Sequence, residues 1–380
     1  MSCKPKYYQY LLLVIFFVQC KERFEPNLPI VPQGYLVVEG FINAQGPTQI
    51  KLSRTTPIDQ KQNFKPELNA EIKVESDNNS VFLLTPGIRG VYSSPALPID
   101  QSDKYRLRIK TKDGKEYLSE FVPVKITPAI DSLSWSQDEK GVQIFVTTHD
   151  AQNKTTYYRW DYDETWEIHS AYPAYYRYVN GIIRPSEPND PDVYTCWKYD
   201  TSSTIILGSS AKLNQDVIYQ HPLHFISNES ERLGIRYSIQ VKQYALDNEG
   251  YQFMEQMKKN TESLGTIFDP LPSAVKGNIH SLSNPAEVVI GYVSATTVQQ
   301  KRIFVADNQL TGKRFNMGNL CVVDTVPNNP RILPNYVQSS WPFNAIFSGI
   351  PPSLTAYEFS SMECIDCRKR GGINVRPPFW

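Results

Sequence analysis

At 380 residues the chain is too long for one small module, and at roughly 150 residues per domain it fits two domains with extensions. With 41% hydrophobic and 21% charged residues it can bury a core, which excludes a disordered or low-complexity chain. Thirty-nine Lys+Arg balance 39 Asp+Glu, so the basic footprint of a nucleic-acid binder is missing.

In chain order, Lys4 and Lys6 precede an apolar run over residues 10–18, the charged and hydrophobic regions of a secretory signal expected over 1–19. The run is about half the roughly twenty residues a helix needs to span a bilayer. It therefore reads as a cleaved leader. Gln19-Cys20 follows directly. A cysteine closing such a run is where bacterial lipoproteins are cleaved and acylated, so Cys20 is the expected lipidation site. Pro26, Pro29 and Pro32 make residues 20–33 an extended tether.

Strand signals dominate from residue 34. The string Tyr35-Leu-Val-Val-Glu-Gly-Phe-Ile is apolar and β-branched, and residues 49–54 and 71–75 alternate with period two. Residues 81–84, 105–110 and 116–119 continue the series, with Asp113-Gly114 as a hairpin turn. This pattern predicts an N-terminal β-sandwich of immunoglobulin-like or transthyretin-like size over 34–128.

The pattern restarts at Ile130 and predicts a second β-rich domain over 129–320, with strands at 132–135, 142–146, 237–244, 288–293 and 302–305. One helix interrupts it near 248–264. Asp247 or Asn248 caps it, Tyr251, Met254, Met257 and Leu264 recur at helical spacing, and Gly265 ends it. That stripe reads as core packing ahead of a ligand groove.

Of six cysteines, Cys3 leaves with the leader and Cys20 takes lipid, so four remain in an oxidising compartment. Cys321, Cys364 and Cys367 are expected to staple a Pro-rich C-terminal tail, 321–380, with Cys321 bonded to Cys364 or Cys367. Cys196 reads equally as a free buried thiol or a partner. Zinc held by the Cys364-x-x-Cys367 pair with His221 and His224, or a redox pair, are the minor alternatives. The expectation is no metal and no cofactor.

Between Tyr157 and Tyr199 lie nine tyrosines and three tryptophans in 43 residues. On a strand, Tyr158, Trp160 and Tyr162 share one face while Tyr157, Arg159 and Asp161 share the other, so half of these aromatics belong to a core. Pro173, Gly181 and Pro185 break regular structure around Tyr172, Tyr175, Tyr176 and Tyr178. These four are the candidate platform for a glycan, a peptide or a partner surface. Asp161, Asp163, Glu164 and Glu167 supply carboxylates of the kind glycoside hydrolysis needs, but Arg159 beside them favours ion pairing. His149, His169 and His280 stand singly, and no Gly-x-Ser-x-Gly elbow is present.

The strings Phe24-Glu-Pro-Asn, Tyr35-Leu-Val-Val-Glu-Gly-Phe-Ile, Tyr157-Tyr-Arg-Trp-Asp-Tyr-Asp, Arg236-Tyr-Ser-Ile-Gln-Val-Lys-Gln-Tyr and Cys364-Ile-Asp-Cys-Arg together resemble a Bacteroidota lipoprotein family of unknown function. The resemblance implies a lipid-anchored outer-membrane or envelope protein, periplasmic or surface-facing, commonly encoded beside a TonB-dependent nutrient-uptake receptor. It implies no catalytic residues. The expectation is an all-β, two-domain binding or accessory protein and not an enzyme, with TonB-dependent receptor and membrane as partners. A structural envelope protein and a glycan- or peptide-acting enzyme are the alternatives.

Overall fold

The computed structural model describes residues 34–56, 65–262, 276–312 and 315–380. The leader, Cys20 and the tether lie outside the described residues, as do Leu264 and Gly265.

The protein is mostly β, as its periodicity predicts, but the first unit is a closed barrel and not a sandwich. Strands Leu36–Asn43, Pro47–Arg54, Glu71–Ser76, Val81–Pro86, Val91–Ala96, Lys104–Lys110 and Val122–Lys125 leave one gap, between the first and the last. Ala295–Thr296 fills it, lying parallel to both neighbours: Ile42 pairs with Ala295, and Ala295 with Val124. Eight strands then close on themselves. The alternation that reads as one sandwich face turns its apolar side inward all round, burying Leu36, Ile50, Leu52, Ile72, Leu107 and Tyr117. Closure removes the exposed edges an open sheet would carry.

Residues 279–296 thus sit apart from the second unit to which their position in the chain assigns them. Ile279–Ser281 pairs with Glu116–Ser119, and Val289–Ile290 with the first strand. The junction is tied by Thr127, whose amide donates to Thr297 Oγ1 at 2.8 Å. At the Asp113-Gly114 turn Gly114 takes φ +83°, the left-handed conformation the turn requires.

The second unit is a sandwich of two sheets around one core. Ile130–Gln137, Gly141–His149 and Val217–Ser227 form one. Thr195–Thr201, Ile206–Ser209, Tyr157–His169, Arg236–Leu246 and Val298–Ala306 form the other. Their inner faces meet through Val142, Ile144 and Val146 on one side and Tyr158, Trp160, Tyr162, Ile239 and Val241 on the other. The alternation expected at Tyr157–His169 is observed: Tyr158, Trp160 and Tyr162 are buried, whereas Tyr157, Arg159 and Asp161 are half-buried. Gly208 lies against the Trp160 ring, where a Cβ would stand 2.6 Å from it.

The helix spans Asn248–Glu262. Asp247 caps it, its Oδ1 accepting from the Gly250 amide at 2.7 Å. Phe253 is buried, but Met254 and Met257 line a cleft of about 620 Å³ between helix and barrel, together with Phe41, Arg159 and Asp161. Phe253 lies off the expected stripe; of the stripe's described members, Tyr251 packs on Tyr157 at 4.7 Å and Met254 and Met257 are cleft wall, so none is fully buried.

The C-terminal segment is more regular than its prolines suggest. Asp324–Pro327, Ser353–Ser361 and Ser340–Ser348 make an antiparallel sheet with its own small core of Val326, Tyr357 and Phe359. Low alternation hid it because each strand carries a proline or lies next to one.

Candidate functional site

Between the long aromatic strand and Thr195–Thr201, the chain leaves the sandwich and lays a hairpin on this C-terminal sheet. Tyr176–Val179 pairs with Ile182–Pro185 through the two-residue loop Asn180-Gly181. Both loop residues have positive φ, 51° and 87°, as a primed turn demands. Asn-Gly between Tyr-Arg-Tyr-Val and Ile-Ile-Arg is a hairpin signal legible in the sequence.

The four candidate tyrosines divide. Tyr172 stacks on Phe343 with ring centroids 4.6 Å apart, and Tyr176 meets Tyr357 edge-on at 5.7 Å, so these two pack. Tyr175 and Tyr178 are exposed, at 62% and 41%. The Tyr175 backbone nonetheless anchors the hairpin, donating to the Phe343 carbonyl at 2.8 Å and accepting from the Ser186 amide at 2.8 Å.

Tyr176 and Tyr178 border a hollow of about 280 Å³ whose other walls include Arg177, Arg184, Trp341 and Arg368. Sequence reasoning missed these last four, because Trp341 and Arg368 come from a segment more than a hundred residues further along the chain. Arg184 grips Asp190 with two nitrogens, at 2.9 and 2.7 Å. That fork, with the Glu187 amide and the nearby Arg177 charge, holds the Asp190 carboxyl far below the ordinary carboxylate range. Arg177 donates from Nε to Ser186 Oγ at 3.0 Å and from Nη2 to the Pro191 carbonyl at 2.9 Å. Arg368 forks onto the fully buried Asp366 at 2.9 and 2.7 Å. Lys369 Nζ stands 5.6 Å from the Trp341 ring centroid.

Two disulfides fix this region. Cys321 bonds Cys364, one of the two partners expected, and Cys367 takes Cys196. Cys196 is thus a disulfide partner and not a free thiol. Each cysteine of the Cys-x-x-Cys pair is spent on a different bridge, so neither offers zinc a thiolate and they do not form a redox couple with each other. His221 instead stacks on Trp160 at 4.9 Å. One bridge ties the segment below the hollow to the Thr195–Thr201 strand, the other to the stretch that leads into the C-terminal sheet.

The carboxylates of the aromatic strand are occupied. Asp161 pairs with Arg159 at 2.6 Å and Asp163 with Lys242 at 2.6 Å. Glu167 accepts from Trp380 Nε1 at 3.0 Å and lies 2.7 Å from His169. Glu164, only 2% exposed, accepts from the Tyr237 hydroxyl at 2.7 Å and lies 3.1 Å from His224 Nε2. His224 Nδ1 in turn meets the Tyr162 hydroxyl at 2.7 Å. Burial pushes the Tyr162 hydroxyl up to about 12. This buried relay couples the two sheets. His149 pairs with Asp131 at 2.8 Å, whereas His280 is exposed on the barrel.

The fold and the hollow define a barrel-and-sandwich protein with an aromatic and arginine-lined site on a disulfide-pinned appendage. The chain belongs to the family described as Domain of unknown function (DUF4249), which matches residues 21–302. The hairpin with Arg177 and Arg184 falls inside that match, and Trp341 and Arg368 fall beyond it. No curated protein matches the chain.

Proposed function

We propose that this is a lipid-anchored cell-envelope binding protein, acylated at Cys20, that serves a TonB-dependent uptake receptor and engages its ligand or partner at the hollow beside Tyr178 and Trp341. The observation that carries the reading is the hollow itself. Exposed Tyr178, the Trp341 ring and three arginines line it, and two disulfides pin the segment next to Arg368. Tyr, Trp and Arg on a rigid support are the residues that dominate binding surfaces. Binding is favoured over catalysis by the carboxylates of the aromatic strand, each engaged with a cation, a histidine or a ring N–H. The anchor reading rests on Cys20 closing the apolar run, and the receptor on the family resemblance.

The test combines two variants in cells. A clickable palmitate analogue is expected to label the wild type and leave Cys20→Ser unlabelled. Affinity capture from native membranes is expected to recover a TonB-dependent receptor with the wild type and several-fold less with Tyr178→Ala, Trp341→Ala. Equal labelling sinks the anchor, and equal recovery sinks the hollow as the contact.

A further inference from the structure

The geometry points to an acidic sugar, a pyranose ring bearing a carboxylate, as the ligand of the hollow at Tyr176, Tyr178, Arg177, Arg184, Trp341 and Arg368. This inference rests on the binding reading above and adds the ligand's chemical class. Size comes first: about 280 Å³ lies just below the usual span of small-molecule sites, about 300 to 1,000 Å³, so the hollow holds one ring and not an extended chain.

Hydrogen-bond supply decides the chemistry. Asp190 accepts from both Arg184 terminal nitrogens and from the Glu187 amide, and Asp366 accepts from the Arg368 side chain and the Arg368 amide. Both carboxylates near the hollow are thus paired. Arg184 Nε, Arg177 Nη1 and Arg368 Nη1 have no acceptor among the described residues, so the site carries surplus donors of fixed geometry.

A cationic ligand would find no unpaired carboxylate there, since Asp190 and Asp366 are already forked by Arg184 and Arg368. A purely apolar one would strip water from guanidinium groups without replacing its hydrogen bonds, at a cost of order 1–3 kcal/mol for each group left unpaired. A carboxylate supplies two charged acceptor oxygens, which can take N–H groups from different guanidinium groups at once. The aromatic wall requires the rest of the ligand to have an apolar face, and the C–H face of a pyranose ring meets that demand while its hydroxyls accept from the remaining N–H groups.

The experiment uses the full-length lipidated protein in detergent, titrated calorimetrically with methyl galacturonide and methyl glucuronide, with methyl glucoside as the neutral ring and benzoate as a carboxylate without sugar hydroxyls. At least one uronide is expected to bind ten-fold or more tighter than methyl glucoside and than benzoate. Trp341→Ala is expected to weaken the uronide five-fold or more with unchanged melting temperature, and Arg368→Lys, which keeps a charge beside Asp366 but loses the fork, to weaken it five-fold or more while the protein stays folded by circular dichroism. Equal binding of methyl glucoside overturns the carboxylate, and equal binding of benzoate overturns the sugar. If no probe binds while Tyr178→Ala, Trp341→Ala still loses its receptor, the hollow is a protein contact: the sugar inference fails and the binding reading stands. If that variant keeps both receptor and uronide, both fail.

Discussion

Two segments of the aromatic-rich stretch are both dense in rings and meet different fates. In residues 157–169 the rings alternate with charges on a central strand, and Tyr158 and Trp160 are fully buried. In residues 172–178 proline and the Asn180-Gly181 turn break the strand, and Tyr175 and Tyr178 stay at the surface. Period therefore decides where an aromatic goes, and composition alone does not. The buried half spends its polar atoms internally: Trp160 Nε1 donates to Gln243 at 2.8 Å, and Glu164 holds the Tyr237 and His224 contacts. The surface half leaves guanidinium nitrogens free.

That contrast breaks first at Trp160. Trp160→Ala removes a ring packed against Tyr158 and His221 and leaves Gln243 Oε1 without its donor, and is expected to cost about 4 kcal/mol in denaturant unfolding. A loss below about 1 kcal/mol would show that the strand is not the core. Next comes Glu164. Burial by itself raises its carboxyl, but the contacts with His224 and Tyr237 and the Arg232 charge outweigh burial and hold it below the ordinary 4.5. A depressed carboxyl stabilises the fold above its unfolded value, and the benefit is lost as pH falls through the folded value. Glu164→Gln is expected to cost about 2 kcal/mol near pH 7, with the gap to wild type closing below about pH 4. A pH-independent gap in paired unfolding curves would remove the ionised relay. The smallest effect belongs to Tyr178→Ala, expected to change stability by less than about 0.5 kcal/mol. A melting shift like that of Trp160→Ala would make Tyr178 core and dissolve the contrast.

Much of this was legible in the sequence, and the failures have a common cause. Six N-terminal strands, the Asp113-Gly114 turn, the helix with its Asp247 cap and the inward face of Tyr158, Trp160 and Tyr162 all follow from local period and turn chemistry. The barrel was missed because its closing strand, Ala295–Thr296, is two residues long and has no period of its own. At the candidate site Tyr175 and Tyr178 were legible as loop aromatics. Tyr172 and Tyr176 also pack on Phe343 and Tyr357 of the C-terminal sheet, and Tyr176 still borders the hollow. Trp341 and Arg368 arrive through that sheet and its disulfides, which no local pattern announces.

The parallel closing strand has a consequence for how the chain can be made and cut. Thr127 and Thr297, joined across the barrel seam, are 170 residues apart. During synthesis the first seven strands emerge long before the eighth, so the barrel stays an open sheet with two bare edges until all the sandwich strands but Val298–Ala306 have passed. A fragment ending anywhere between residues 128 and 294 lacks the seam. The two units are therefore not beads on a string: the earlier one is completed only by the later one, and a nascent chain that stalls midway exposes adhesive edges to its neighbours.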